Sequence, residues 1–324
     1  MARKNESTGT DADLNLASLS TLFVDEDKAR EFLETKRWPN GPVCPHCGST
    51  KIYTLTPKPD SKKLVRPGVC KCGECRKQFT VRIGTILGES HIELRKWLMA
   101  IHLMTSSKKG INSHQIAREV GITQKNAWFL CHRIREAMWQ EPMSGLLKGT
   151  VEADETYVGA RKPRFKGTSK QGRGTSKKPV MVLVERDGNA RSIPIEKADS
   201  ATLKGEVRKH VDRSAQIVTD DWNPYCGLNR GFAGHEVVCH ATGEYARKRG
   251  DGLPVNMNTA ESSFALLKRG HYGTFHRFSR KHTHRYCDEF GFRWDRRKAS
   301  DGERMVSAIR GAEGKQLMYR DSYV

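Results

Sequence analysis

Three acidic segments in a fixed order constrain this chain more than anything else in it: VEADETYVG at 151–159, IVTDDWNPY at 217–225 and NTAESSFALLKRG at 258–270. The first reads as a strand with apolar alternation around Asp154. The second reads as a strand whose IVT run delivers Asp220 at its end, and the third as a helix carrying Glu261. Carboxylates supplied by two strands and a later helix are the layout of a two-metal site for phosphodiester chemistry, because hard divalent cations take oxygen ligands. Asp154, Asp220 and Glu261 are therefore the expected magnesium ligands. Lys268 follows Glu261 by seven residues, two helical turns, so it projects from about the same face and can reach a phosphate beside the metals.

Each carboxylate has an ordinary competitor. Glu152 would share the strand face of Asp154 and is its rival, whereas Glu155 falls on the opposite face. Asp221 takes the place of Asp220 if that strand runs one residue further, and Asn258, opening the Glu261 helix, has the ordinary role of an N-cap. One acidic residue alone is a solvated charge; the argument rests on three in the right element order. Around them, PVMVLVERD and SIPIEKA form a strand pair turning at Asp187-Gly188, SATLKGEVRKHV a helix and HEVVCH a further short strand. Strand, hairpin, helix, strand, strand, helix is the order of an RNase H-like domain, an α/β fold built on a mixed sheet.

The charge balance points the same way. Fifty-seven Lys and Arg against 37 Asp and Glu give a net charge of +20 and a pI near 9.7, which draws phosphates and favours a nucleic-acid partner. A membrane partner is the weaker reading: no run of about 18 apolar residues occurs, and the N-terminus MARKNESTGTDAD has no signal-peptide pattern. A cytoplasmic protein is expected. The 324 residues allow two or three domains.

Five of the nine cysteines fall between positions 44 and 75, as CPHCG and VCKCGECRKQF. Two C-x2-C knuckles at this separation have zinc-ribbon spacing, since tetrahedral zinc needs four soft ligands and each knuckle lets two thiolates reach one ion. Cys44, Cys47, Cys72 and Cys75 are the expected ligands, with Cys70 competing for the third place. The scattered Cys131, Cys226, Cys239 and Cys287 read as buried thiols.

A helical module follows. RKWLMAIHLM has helical apolar spacing, and INSHQIAREVGITQKNAWFLCHRIREAM reads as two helices about a turn at Gly121, with Thr123 capping the second. This is the helix-turn-helix pattern, whose second helix commonly enters the major groove; Gln124, Lys125, Asn126 and Arg133 would then face DNA. A plain helical hairpin is the bland alternative. Further on, Arg277, Arg280 and their basic neighbours would track the DNA backbone, while Tyr286, Phe290, Phe292 and Trp294 pack under the Glu261 helix. The segment ARKPRFKGTSKQGRGTSKK at 160–178 reads as a mobile basic loop.

Together, CPHCG, CGECRKQFTVRIGTIL, VEADETYVG, VTDDWNPY, HATGEYAR and NTAESSFALLKRGHYGTFHRFSRKHTHRYCDEFGFRWDRR resemble the zinc-ribbon insertion-sequence transposases of the DDE type, an ISXO-like group related to the eukaryotic Merlin elements. The resemblance covers about residues 20–300, and its last block is the most specific. It implies an RNase H-like catalytic domain that uses Mg2+ to cut double-stranded DNA at terminal inverted repeats and to join the 3'-hydroxyl ends to target DNA. It also implies a homo-oligomer on DNA in a bacterial, nucleoid-associated setting. Family members carry Glu or Asn at the third acidic position; this chain has both Asn258 and Glu261, and Glu261 is taken. The expected organisation is an N-terminal segment at 1–35, zinc ribbon at 36–90, helix-turn-helix module at 91–145, catalytic domain at 146–300 and C-terminal tail at 301–324. A DNA-binding regulator derived from a transposase, and a structure-specific nuclease on the same fold, are the competing functions.

Overall fold

The computed structural model describes residues 11, 14–56, 65–139, 145–159, 175, 177–239, 242–250 and 252–320. Most of the basic loop expected at 160–178 therefore lies outside the described residues. The chain divides into two compact units, residues 1–138 with 298–324, and residues 139–297.

The first unit begins with helices α1 (Leu16–Leu22) and α2 (Glu26–Arg37). Asp25 starts α2 by accepting the Lys28 N–H at 2.7 Å, and acidic Glu26 and Asp27 in its first turn balance Lys36 and Arg37 in its last. A small antiparallel sheet follows, β1 (Ile52–Thr54), β2 (Cys70–Cys72) and β3 (Gln78–Phe79), ordered β1-β2-β3. Next come α3 (Leu94–Ser106), α4 (Ser113–Val120) and α5 (Gln124–Met138). Asn112 caps α4, and Gly121 ends it at φ 68°, a left-handed conformation in which its N–H and that of Ile122 both return to the Ala117 carbonyl. The helix-turn-helix expected from the sequence is thus formed, over a core that includes Trp97, Leu98, Ile101, Ile116, Leu130 and Ile134.

The second unit holds β4 (Thr150–Val158), β5 (Lys178–Glu185), β6 (Ala190–Pro194), α6 (Ser200–His210), β7 (Gln216–Asp220), β8 (Gly234–Val238), β9 (Ala246–Lys248), β10 (Pro254–Asn256), α7 (Asn258–Gly270) and α8 (Thr283–Asp295). Its five-stranded sheet has the order β6-β5-β4-β7-β8, antiparallel from β6 to β4 and parallel from β4 to β8. This mixed sheet, first strand central, is the RNase H-like arrangement expected from the element order. Period-2 alternation sends Val151, Ala153, Met181, Leu183 and Ile217 to one face, against Leu203 and Val207 of α6. Val158, Val180, Val182 and Val184 go to the other, against Phe264 and Leu267 of α7 and Tyr286 and Phe290 of α8. A Cβ on Gly270 would lie 2.0 Å from the Phe290 ring, so glycine there is what lets α8 close over the end of α7.

Two parts of the fold have no counterpart in the expected pattern. One is the β9–β10 hairpin, held beside β8 by Arg247, which binds Glu236, Glu244 and the Val237 carbonyl. The other is α9 (Asp301–Arg310), which starts on a Ser300/Glu303 capping box, packs on α3, α2 and α5 of the first unit, and buries Met305, Val306 and Ile309.

Candidate active site and cysteine cluster

Strands β4 and β7 run parallel with Thr150, Val151 and Glu152 level with Gln216, Ile217 and Val218. Two residues beyond the last of these pairs stand Asp154, midway along β4, and Asp220, the last residue of β7, so one period-2 step sets both on the same face. Asp154 accepts the Glu155 N–H at 2.7 Å. Its pKa is pushed up to about 7, first by burial, then by the charge of Glu155 and further by that of Asp220, against the Glu155 amide and the Lys268 ammonium, which act to lower it. Carboxylates that resist ionising together are what a divalent cation relieves, and their hard oxygens suit magnesium.

On the opposite face, as the alternation requires, Glu155 accepts the Tyr225 hydroxyl at 3.1 Å. Tyr225 is 1% exposed; burial, followed by the charges of Glu155, Asp154 and Asp220, drives its ionisation far up, so it stays a neutral donor. Sequence reasoning passed over Tyr225. Its one signal is position, five residues after Asp220 in the same IVTDDWNPY segment. Of the two adjacent aspartates, Asp220 accepts the Trp222 N–H at 3.2 Å, whereas the exposed Asp221 accepts from the thiol of Cys239, the residue after β8, at 3.2 Å.

Glu152 has a different task from its neighbour. It is fully buried; one oxygen accepts Arg186 Nε at 2.8 Å and the other the Ala260 N–H at 2.8 Å. Arg186 continues to the carbonyls of Asn256, at 2.9 Å, and Pro254. With both oxygens engaged, the carboxylate ties the central strand to the first turn of α7. The N-cap expectation for Asn258 is corrected here: Asn258 is the first residue of the helix, and it is the Asn256 side chain that accepts its N–H, at 3.3 Å.

Helix α7 carries the last two expected residues. Lys268 acts on Asp154 and rests its ammonium 5.6 Å from the Phe264 ring centre. Glu261, two turns earlier, lines a cavity of about 670 Å³ with Asn258, Ser262, Arg269, Arg293 and Trp294. The structure therefore sets Asp154 and Asp220 on one face with Lys268 near enough to act on Asp154, and places Glu261 in a cavity that none of those three lines.

In the first unit, the sulfurs of Cys44, Cys47, Cys72 and Cys75 all lie within 4.8 Å of one another, with Cys44 to Cys75 at 3.6 Å and Cys47 to Cys72 at 3.5 Å. Zn–S bonds of about 2.3 Å in a tetrahedron set sulfurs about 3.8 Å apart, so the cluster fits structural zinc. Backbone N–H groups of Cys75 and Glu74 point at the Cys72 sulfur, and that of Ser49 at Cys47. Cys70, the competing ligand, is instead hydrogen-bonded to the Thr54 side chain; of the four scattered thiols expected to be buried, Cys131 and Cys287 are, whereas Cys226 is exposed and Cys239 half-buried.

Of the residues expected to face DNA, Gln124, Lys125 and Asn126 are exposed on the first turn of α5, and Arg277 is exposed after α7. Arg280 is half-buried and lies 3.7 Å from Glu196. Arg133 must be withdrawn from that group. It is 4% exposed, its guanidinium sits 5.4 Å from the rings of both Trp97 and Phe129, and it donates to the Gly88 carbonyl. Arg133 stands seven residues, two turns, beyond Asn126 and so on about the same helix face, but at that level the face is covered by Trp97 and the Gly88 carbonyl.

Comparison with known proteins adds the following. Residues 146–295 match the ISXO2-like transposase domain, and residues 24–78 match the transposase zinc-ribbon domain. Over 260 residues the chain is 30% identical to an uncharacterized protein in transposable element ISH50 of Halobacterium salinarum, covering 76% of this chain and 83% of that relative. Among solved structures, the Mos1 transposase paired-end complex with left transposon end is 14% identical, with a TM-score of 0.25 over 67% of this chain and 80% of that one. A pre-cleavage Mos1 transpososome is 14% identical at a TM-score of 0.23, over 64% and 76%. These two likenesses are too distant to add to what the sheet itself shows.

Proposed function

Because the chain belongs to the ISXO2-like family of insertion-sequence transposases, of the DDE type and with a zinc ribbon, we propose a specific reaction for it. It binds the terminal inverted repeats of its element, cuts the DNA there with magnesium, and joins the released 3'-hydroxyl ends to target DNA. The observation that carries this reading is the pair Asp154 and Asp220, on one face of adjacent parallel strands, with Lys268 acting on Asp154.

Asp154 and Asp220 would hold the divalent ions, with Glu261 as the third ligand; when bound, the ions activate the attacking oxygen and stabilise the leaving one. The chain's own groups prepare that step. The Glu155 amide fixes Asp154, the Tyr225 hydroxyl keeps Glu155 engaged on the far face, and the Lys268 ammonium offers a counter-charge to the scissile phosphate. Glu152 holds the start of α7, and with it Glu261, against the strand that bears Asp154.

Recognition of the ends falls to the first unit. Gln124, Lys125 and Asn126 enter a major groove from the start of α5, a zinc ion on the four cysteines keeps the ribbon folded, and Arg277 and Arg280 of the second unit contact the backbone. The working form is a homo-oligomer that holds two ends at once.

The test is incubation of the purified protein with magnesium, a labelled duplex ending in the element's own inverted repeat, and a target plasmid. The expected products are 3'-end nicks and joined strands. Tight end binding with no cleavage supports a DNA-binding regulator instead, and cleavage with no joining supports a structure-specific nuclease.

A further inference from the structure

The cavity beside Glu261 has a composition that the metal site does not account for. Helix α7 contributes Asn258, Ser262 and Arg269, the end of α8 contributes Arg293 and Trp294, and the turn after it Arg297. Three guanidinium groups and an indole meet in about 670 Å³, roomy enough for a nucleotide. The cations differ in what they already do. Arg293 is buried and paired with Glu289 at 2.7 Å, and Arg297 lies 4.7 Å from the Trp294 ring and donates to the Gly188 carbonyl at 2.9 Å. Both are committed to holding α8 and its indole in place. Arg269 is exposed on the last turn of α7 and faces the cavity. Trp294 is only half-buried, with its Nε1 hydrogen lacking an acceptor.

We propose that this cavity is a subsite for one unpaired nucleotide of a DNA strand, its base against Trp294 and its phosphate on Arg269. A paired base is stacked within the duplex and presents only its edges, whereas an unpaired one can offer a face to an indole. The cavity shares Glu261 with the proposed active site, so the nucleotide belongs to the strand being processed; in this the inference rests on the transposase reading.

The experiment measures binding of a fluorescent single-stranded 12-mer and of a blunt duplex of unrelated sequence. The full-length protein is used without magnesium, across a salt series. Arg269→Ala is expected to weaken the single strand roughly tenfold and to flatten its log-affinity against log-salt slope by about 0.7, the loss of one phosphate contact. Duplex binding should hardly move. Trp294→Phe, which keeps a ring, should retain single-strand binding within about threefold, and Trp294→Leu should lose roughly tenfold. Unchanged single-strand affinity and slope in Arg269→Ala overturns the subsite, and so does an equal loss for both DNA forms, which makes Arg269 a general backbone contact. Because no cleavage enters the readout, failure of the transposase reading appears separately, as an inert wild-type protein in the cleavage assay.

Discussion

The buried carboxylate of Glu152 accepts the backbone N–H of Ala260 at 2.8 Å, fastening the central strand to the first turn of a helix 108 residues later in the chain. The strand carries Asp154 two residues further on, and the helix carries Glu261 one residue further on. One side chain therefore sets the separation of two proposed metal ligands.

Glu152→Gln keeps the shape of the side chain and removes its charge, leaving Arg186 without its counter-ion. Breaking a buried pair of this kind costs about 3 kcal/mol. A fall of that size in urea unfolding is expected, with a slower cleavage rate and unchanged end binding. Full stability together with full activity would show that the contact does not position α7.

Zinc depends on four cysteines and is indifferent to the fifth. Cys72→Ser should lose the metal, measured by atomic absorption on the purified protein, and should weaken binding to the inverted repeat. Cys70→Ser should retain one zinc per chain, since its sulfur lies outside the cluster. Loss of metal from both variants would contradict the ligand set.

Two cations on α5 are expected to behave in opposite ways. Arg133→Ala removes a buried guanidinium set beside two rings and a carbonyl, and should cost about 2 to 4 kcal/mol of stability. Lys125→Ala, exposed on the first turn, should leave stability within about 0.5 kcal/mol and reduce affinity for the end duplex. Denaturation and gel-shift titration of the pair separate core from interface.

His102 gives the first unit a pH dependence. It is 3% exposed with Nδ1 unpartnered, and burial holds its pKa below the usual value against the pull of Asp301. The unfolded chain therefore takes up a proton that the folded chain resists. The contribution of this residue is whole above the unfolded pKa, about 6.5, and is lost as the pH falls below it. His102→Gln should gain thermal stability relative to the wild type on going from pH 8 to pH 6. A difference between the two proteins that ignores pH would contradict this sign.

Much of the second unit is legible in the sequence because its strands obey period 2 and its helices period 3.6, which places Asp154, Asp220 and Lys268 on their elements. The cysteine knuckles were equally plain, since C-x2-C spacing encodes its own geometry. Arg133 is misplaced because a short helix-turn-helix pattern does not tell how far along α5 the face of Asn126 stays uncovered, and a guanidinium between two rings looks, in sequence, like one facing phosphate. The tie from Glu152 to Ala260 and the bond from Tyr225 to Glu155 join segments far apart in the chain, and no local spacing announces them. The β9–β10 hairpin was missed because its three-residue strands are too short for alternation to register.

The central claim is that Asp154 holds a catalytic metal ion. Its most direct test is single-turnover cleavage begun by adding magnesium to a preformed complex of protein and inverted-repeat duplex, with bound and cut DNA measured in the same samples for the wild type and Asp154→Asn. The account predicts complexes of equal affinity and a cleavage rate lowered at least about a thousandfold in the variant. Cleavage by Asp154→Asn at a rate near that of the wild type would contradict it.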